Sequence, residues 1–388
     1  MNHEVIVVGG GPAGAMAAHT LARQGVGVLV LEKEVMPRDK PCGGALSQKA
    51  MDLLEDDCRG LVEHVVTRAT FSHAFNDPFT LQLERPLVYL VDRARFDHYL
   101  LERVARAGAV VEQGCALKEV GEEGGTVVAM AGDKEYRGRF LIAADGAASR
   151  VRQCLGLPAK RPAAVTLEAR VPLDPGPWRD KGVVVDYGFV PYGYGWLFPR
   201  ADHLSVGVGY FSEQRRRLSR PLREYFAAFL ARQVEAGSAP GPAGPPGRER
   251  PRGWTIPVGW GRGTYRKGRV LLAGDAAGLA DPFTGEGIYA ALKSGQLAAQ
   301  VAAVALRQGV AALGRYARLV QEEILPELRW ARVVQRLFYP LSGYFHSYFI
   351  SHPEVCRQAL SVVYGQLTYR EWVQRYAARA SWRHLFHT

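Results

Sequence analysis

The sequence has no apolar stretch that reaches the roughly 18 uninterrupted residues a membrane-spanning helix needs, so no segment is expected to cross a bilayer. It has no basic, apolar leader. A β-branched run, Glu4–Val8, starts almost at once, and the expectation is a chain without a signal peptide that stays in the cytoplasm. Cysteine is sparse: Cys42, Cys58, Cys115, Cys154 and Cys356 are scattered, odd in number and form no CxxC pair. That argues against a disulfide framework and a zinc site, and for reduced thiols. No internal repeat and no nucleic-acid-binding module is visible, which removes nucleic acid from the expected partners. Acidic residues are outnumbered, 38 against 49 Lys and Arg, for a net charge of +11. The excess gathers in Arg215-Arg216-Arg217 with Arg220 and Arg223, in Arg248, Arg250 and Arg252, and along Arg315–Arg336. Two readings remain for it, solvated faces or attraction to an anionic membrane surface.

At 47% apolar and 22% charged residues, the 388-residue chain is globular, with length for about two domains. It is organised around its first residues. The run Glu4–Val8 is followed by Gly9-Gly10-Gly11-Pro12-Ala13-Gly14. A helical stretch then runs from Pro12 to Gly25, with Ala13, Ala17, Leu21 and Ala22 on one face. A second apolar run, Val26–Leu31, ends at Glu32-Lys33. Strand, glycine turn, helix, strand and acid form a dinucleotide-binding fingerprint. Gly9 permits the tight turn, Gly11 lets backbone approach a pyrophosphate, and Gly14 lets helix pack on strand. The helix N-terminus offers N–H groups to the phosphates, and Glu32 is placed to hydrogen-bond a ribose. Gly207-Val208-Gly209 lacks a third glycine and a following helix, and Gly285-Glu286-Gly287 lacks a preceding strand. One stable nucleotide site is therefore expected.

Met36–Leu46, with two prolines and a glycine pair, reads as a loop close to the nucleotide, leading into a helix at Ser47–Leu54. Strands are expected at Ala69–His73, Phe79–Leu83 and Leu87–Val91, a helix from Arg93 to Ala107, and a strand at Ala109–Gln113. Val127–Met130 and Glu135–Arg137 read as a hairpin, and Phe140–Arg152 as strand, turn and helix. From 161 to 266 the segments Thr166–Val171, Gly182–Val190, Gly193–Phe198 and Leu204–Tyr210 point to an antiparallel sheet. Pro221–Ala236 is its one helix and Gly237–Gly253 an exposed loop. Val270–Gly278 returns to the strand–turn pattern, Glu286–Leu306 is a long helix, and the chain from 311 is helical and rich in aromatics over Leu337–Ile350. Tyr192, Tyr194, Trp196 and Phe198 share one parity and hence one face of a strand, with Gly193 and Gly195 on the other, where another backbone can come close. Such a wall suits a polyene chain or a sheet core. His19, His64, His73 and His98 read as surface or helix residues rather than ligands.

Three distant stretches, the N-terminal fingerprint, Ile142–Arg152 with Asp145-Gly146, and Leu271–Gly287 with Gly274-Asp275, resemble the FAD-binding segments of the para-hydroxybenzoate-hydroxylase class of flavoproteins; Arg93-x-x-Phe96-Asp97 is similar to that class too. Lys40-Pro41-Cys42-Gly43-Gly44-Ala45 and Tyr194-Gly195-Trp196-Leu197-Phe198-Pro199-Arg200 resemble the geranylgeranyl reductase family, whose strand motif usually ends in Lys where this chain has Arg200. The resemblance implies an α/β fold. A Rossmann-like FAD-binding domain would comprise 1–66, 92–160 and 268–310, an inserted antiparallel-sheet substrate domain 67–91 and 161–267, and a C-terminal helical region 311–388. It implies FAD held by Gly9, Gly11, Pro12, Ala13, Gly14, Glu32, Lys33, Cys42, Gly43, Gly44, Arg93, Asp145, Gly274, Asp275, Gly285, Gly287 and Ile288. Asp275 would meet the ribityl chain, or cap a helix. Tyr192, Tyr194, Trp196 and Phe198 would bind substrate, and Cys42 would donate a proton or pack against the flavin. The implied reaction saturates C=C bonds of a geranylgeranyl or polyprenyl chain on a lipid or isoprenoid, with electrons from NAD(P)H or a ferredoxin-like protein and with contact at a membrane surface. The rival readings are a monooxygenase or halogenase of the same class, and a basic binding protein that merely keeps the fold.

Overall fold

In a computed structural model, residues 2–54, 58–158, 164–172, 182–212, 218–237, 239, 250–259, 261, 263–363 and 365–379 are described. Arg215-Arg216-Arg217, Arg248 and most of 237–253 lie outside them. The chain forms two compact units. One comprises Met1–Lys40, Asp92–Ala163 and Thr255–Leu328, the other Pro41–Val91, Ala164–Trp254 and Arg329–Thr388.

The first unit is built on a sheet with Asn2–Val8 at its centre, between Lys134–Ala143 and Val28–Leu31, both parallel to it. Val110–Glu112 extends one side, and Val270–Leu272, then Arg266–Lys267, the other. Val5, Ile6 and Val7 have no exposure at all. A parallel strand covered on both faces has no reason to alternate, which is why it reads as an unbroken apolar run. The helix Pro12–Ala22 is buried almost all round: Ala15, Met16 and Ala18 are as enclosed as the expected Ala13–Ala17–Leu21–Ala22 face. The cause is a second helix, Ile288–Gln308, whose Gly295 approaches so closely that a Cβ there would overlap the Ala13 carbonyl oxygen. The expected hairpin arm Glu135–Arg137 and the expected strand from Phe140 are one strand, Lys134–Ala143. Its first part pairs antiparallel with Thr126–Ala131 and its last part parallel with Asn2–Val8. Leu117–Glu123 is a strand that the sequence did not suggest, because only Val120 along it is buried.

The second unit carries a seven-stranded sheet in the order Arg252–Ile256, Ala164–Pro172, His203–Phe211, Gly193–Pro199, Val183–Tyr187, Arg68–His73, Asn76–Gln82. Ala164–Pro172, His203–Phe211, Gly193–Pro199 and Val183–Tyr187 pair antiparallel in turn, as do Arg68–His73 and Asn76–Gln82, whereas Val183–Tyr187 and Arg68–His73 run parallel. The expected strand Leu87–Val91 forms, as Val88–Val91, but joins a separate three-stranded sheet with Ala45–Leu46 and Val62–Val66. On one face of the large sheet, Leu197, Val206, Val208, Ala169 and Val171 pack against Tyr225, Phe226 and Phe229 of the helix Leu222–Glu235. A second core gathers Val66, Ala69, Leu81, Leu90 and Val183 with Phe345, Phe349 and Cys356 of the C-terminal helices.

Asp186 is fully buried in this unit. Its carboxylate accepts from the Ser72 hydroxyl at 2.6 Å and the Phe75 N–H at 2.7 Å, and so holds a turn in which Ala74, Phe75 and Asp77 all have positive φ. Burial, only partly offset by those hydrogen bonds, pushes its pKa up to about 6. The folded state thus binds this proton more tightly than the unfolded chain, and the stability it contributes at low pH is lost as pH rises from about 4 to about 6. Asp186→Asn should therefore gain stability relative to the parent by about 2–3 kcal/mol between pH 4 and pH 7, read from urea melts at both pH values; a pH-independent difference would refute this.

Candidate functional site

The nucleotide cradle is made by backbone. Gly9 sits at φ +100, and a Cβ on Gly14 would overlap the Gly9 carbonyl oxygen, so helix Pro12–Ala22 starts in contact with the end of the first strand. Its N-cap, Gly11, has no side-chain cap and its first turn has no acidic residue. N–H groups there are left to an anionic ligand. Glu32, 4% exposed, accepts from Gly10 N at 2.6 Å and Glu34 N at 2.9 Å, which fixes its carboxylate beside the glycine turn. Lys33 is exposed and pairs with Glu34 at 3.7 Å.

Arg93 is engaged by its own helix. Its Nε and Nη2 both donate to Asp97, at 2.8 Å each. Asp97 has no exposure and takes a further 2.8 Å bond from Arg38. Burial opposes ionisation of Asp97, but the Arg93 charge and hydrogen bond, aided by Arg38 and Lys40, outweigh it and hold the carboxyl below its ordinary range. The guanidinium of Arg38 also stands 3.7 Å from where a Cβ on Gly11 would lie, a fixed positive charge beside the helix N-terminus. Sequence reasoning missed Arg38, since nothing in the Met36–Leu46 loop marks one basic residue above another.

Asp145 accepts from Val151 N at 3.0 Å in the first turn of the short helix Arg150–Cys154, whose N-cap is Ser149, while its buried Oδ1 has no partner among the described residues. Gly274 N donates to Ser294 Oγ at 2.9 Å. Asp281 Oδ1 accepts from Phe283 N and Thr284 N, at 2.7 and 2.9 Å, and bends the chain through Gly285, at φ +74, into helix Ile288–Gln308. That helix begins at Gly287 without a side-chain cap, and Ile288 is buried in its first turn. Asp275 Oδ1 lies 3.5 Å from where a Gly287 Cβ would be, and the Asp275 side chain makes no hydrogen bond or ion pair among the described residues. Of the two roles open to Asp275, the helix cap is not taken.

In the second unit, Tyr194, Trp196 and Phe198 line one face of Gly193–Pro199, with successive ring centroids 5.8 and 6.3 Å apart. Tyr192 is not in this row. It precedes the strand with φ +54, so the alternation that places the other three does not extend to it. The Trp196 indole lies across the neighbouring strand over Gly207, directly opposite, where a Cβ would overlap the ring. This gives the Gly207-Val208-Gly209 motif a packing role. Trp196 Nε1 donates to Ser205 Oγ at 3.3 Å, and Ser205 donates to Glu168 at 2.6 Å, so the buried indole N–H is satisfied. Behind the wall, a Cβ on Gly195 would come within 2.5 Å of the Phe229 ring; a Gly193 Cβ would overlap the Gly209 carbonyl. The close approach on that face is thus a ring at one glycine and a backbone at the other. In front of the wall, Gly43 lies against Phe198: a Cβ there would be 2.9 Å from the ring and 3.7 Å from Trp196 Nε1. Cys42 Sγ, partly exposed, accepts from Gly44 N at 3.4 Å. His73, expected at a surface or on a helix, is instead half-buried on strand Arg68–His73 and bonds Ser342 Oγ at 3.1 Å.

Residues 2–318 match the family model of the FAD binding domain. The chain is 32% identical over 324 residues to a geranylgeranyl diphosphate reductase of Rhodobacter capsulatus, covering 80% of this chain and 77% of the relative. It is 31% identical over 363 residues to digeranylgeranylglycerophospholipid reductase 1 of Methanopyrus kandleri, covering 87% and 91%. A crystal structure of a geranylgeranyl bacteriochlorophyll reductase-like protein from Thermoplasma acidophilum superposes with a TM-score of 0.75 at 25% identity, over 95% of this chain and 93% of that one. The uncapped helix N-termini, the Asp275 carboxylate without a partner among the described residues and the Arg38 guanidinium fit FAD as the cofactor.

Two carboxylates separate binding from folding. Asp275→Ala should weaken FAD binding at least tenfold, about 1.4 kcal/mol, while the stability of flavin-stripped protein moves by less than about 0.5 kcal/mol. Titration with FAD and urea melts of the stripped protein measure the two. Asp97→Asn should cost about 3 kcal/mol in the stripped protein itself, because two arginines lose their buried counter-charge; a loss under about 1 kcal/mol would refute the role given to the triad.

Proposed function

The chain belongs to the geranylgeranyl reductase family of FAD-binding flavoproteins, and we propose that it saturates carbon–carbon double bonds of a geranylgeranyl or other polyprenyl chain carried on a lipid or isoprenoid. The observation that carries this reading is the Tyr194–Trp196–Phe198 wall, kept tall by a glycine under the indole and fronted by Cys42-Gly43-Gly44. An isoprenoid alkene is poorly polarised and offers no hydrogen-bonding handle near the reacting carbons. It has to be positioned by shape and kept dry, which is what a row of rings does.

FAD, when bound and reduced, supplies hydride for one alkene carbon. The chain's own contribution is to place the alkene and to deliver a proton to the other carbon. Cys42 is assigned the proton: its Sγ is partly exposed and is oriented by the Gly44 N–H. Tyr194, Trp196 and Phe198 hold the hydrocarbon, and Ser205 with Glu168 fixes the indole plane. With a single complete dinucleotide fingerprint, electrons come from a transiently bound NAD(P)H or from a ferredoxin-like protein. Contact with an anionic lipid surface belongs to the same reading. It is supported by the C-terminal helices, where Val333, Leu341, Tyr344 and Ile350 are exposed between the exposed Arg329 and Arg336 and the end of helix Ser342–Ser351.

Protein reduced under anaerobic conditions should reoxidise on addition of geranylgeranyl diphosphate or a digeranylgeranyl glycerophospholipid, with products heavier by two hydrogens per bond. Trp196→Ala should lower kcat/KM at least tenfold with FAD content unchanged. Turnover that depends on O2 and leaves every double bond in place would overturn the proposal.

A further inference from the structure

Arg200 departs from the Lys that usually ends this strand motif, and its surroundings explain what an arginine does there. It directly follows strand Gly193–Pro199, and its side chain is 3% exposed. Nε donates to Glu63 Oε2 at 3.0 Å, and Nη1 donates to the Gly43 carbonyl at 3.0 Å. The same Nη1 would stand 2.6 Å from a Cβ on Gly44, so the guanidinium lies directly on the Cys42-Gly43-Gly44 turn. Glu63, with a side chain 9% exposed, sits where the register of Val62–Val66 shifts against Val88–Val91, between Val62 and His64. A bulge of this kind re-aims one side chain out of the alternation. On the far side of the turn, the Gly44 carbonyl accepts from Val91 N at 2.9 Å, and Gly44 itself is at φ +63.

We infer that Arg200 and Glu63 are positioning residues for Cys42. Arg200 pins the Gly43 carbonyl, Val91 pins the Gly44 carbonyl, and the Phe198 ring blocks the remaining side of Gly43. The turn is left one arrangement, the one in which Gly44 N–H points at Cys42 Sγ. A planar fork serves two acceptors in different directions at once, whereas a single ammonium on a flexible stem serves them poorly. Glu63 balances the buried charge and sets the plane of the fork. The geometry of the clamp stands by itself; its part in turnover rests on the role proposed for Cys42.

The test is made on the FAD-loaded protein, well below each variant's unfolding midpoint. Alkylation of Cys42 by iodoacetamide is followed by mass spectrometry, with Cys154, a partly exposed thiol of the other unit, as internal control. Arg200→Met and Glu63→Gln should label Cys42 about tenfold faster than the parent, Arg200→Lys less than either, and Cys154 should not change. On geranylgeranyl diphosphate, kcat should fall about tenfold with KM held within about twofold, and Arg200→Lys should recover part of it. Cys42 labelling within about twofold of the parent in both Arg200→Lys and Glu63→Gln would overturn the clamp, as would a parallel rise at Cys154, which marks general loosening. If Arg200→Met does not fold, the other two variants carry the test. Faster labelling in a protein that reduces no prenyl substrate would uphold the clamp and refute the reductase reading instead.

Discussion

Backbone pressed on backbone is the constraint from which the first unit follows. Gly14 meets the Gly9 carbonyl, and Gly295 meets Ala13. Contacts this close exclude side chains from the seam, so both helices are built of alanine and glycine where they touch. They also bring the start of helix Pro12–Ala22 to the end of the central strand with nothing interposed, and its first N–H groups are left there without a side-chain cap. No charged side chain substitutes for that arrangement. Arg38 and Glu32 refine it from the edges, each held by a buried partner or a backbone amide.

In the second unit, the division of labour between sheet faces does comparable work. One face is a conventional core in which Phe229 fills the space left by Gly195. The other face lifts three rings in a row and keeps the buried Trp196 N–H satisfied through Ser205 and Glu168. A wall that is apolar yet internally hydrogen-bonded keeps a fixed shape, since an unsatisfied indole would favour any rearrangement that found it a partner.

The fold was legible in the sequence wherever a pattern had one cause. Glu4–Val8, the glycine turn and the acid at Glu32 announced the parallel unit because burial on both faces and the close approach of helix to strand each demand specific residues. Tyr194–Trp196–Phe198 was legible for the same reason. Tyr192 was not, because parity says nothing about where a strand begins, and a positive φ at that residue leaves no mark in composition. Strand Leu117–Glu123 was hidden by its polar residues. Arg200 stood out in the strand motif, but its partners did not, and Arg38 and Glu63 were illegible. Each pairs with a residue far away along the chain, Arg38 with Asp97 and Glu63 with Arg200, and a single sequence carries no trace of such pairings. Arg93 and Asp97 do lie one helical turn apart, but that spacing announces an ion pair and not a third member.

The indole over Gly207 carries a consequence for how such a protein changes over generations. Enlarging Gly207 first is blocked by the ring above it, whereas trimming Trp196 first opens room that a methyl at 207 could then occupy. The two positions are therefore accessible in one order only. A lineage that repacks this seam must cross a stage with an underfilled wall before it reaches a tighter one, and the return journey must pass back through that same gap.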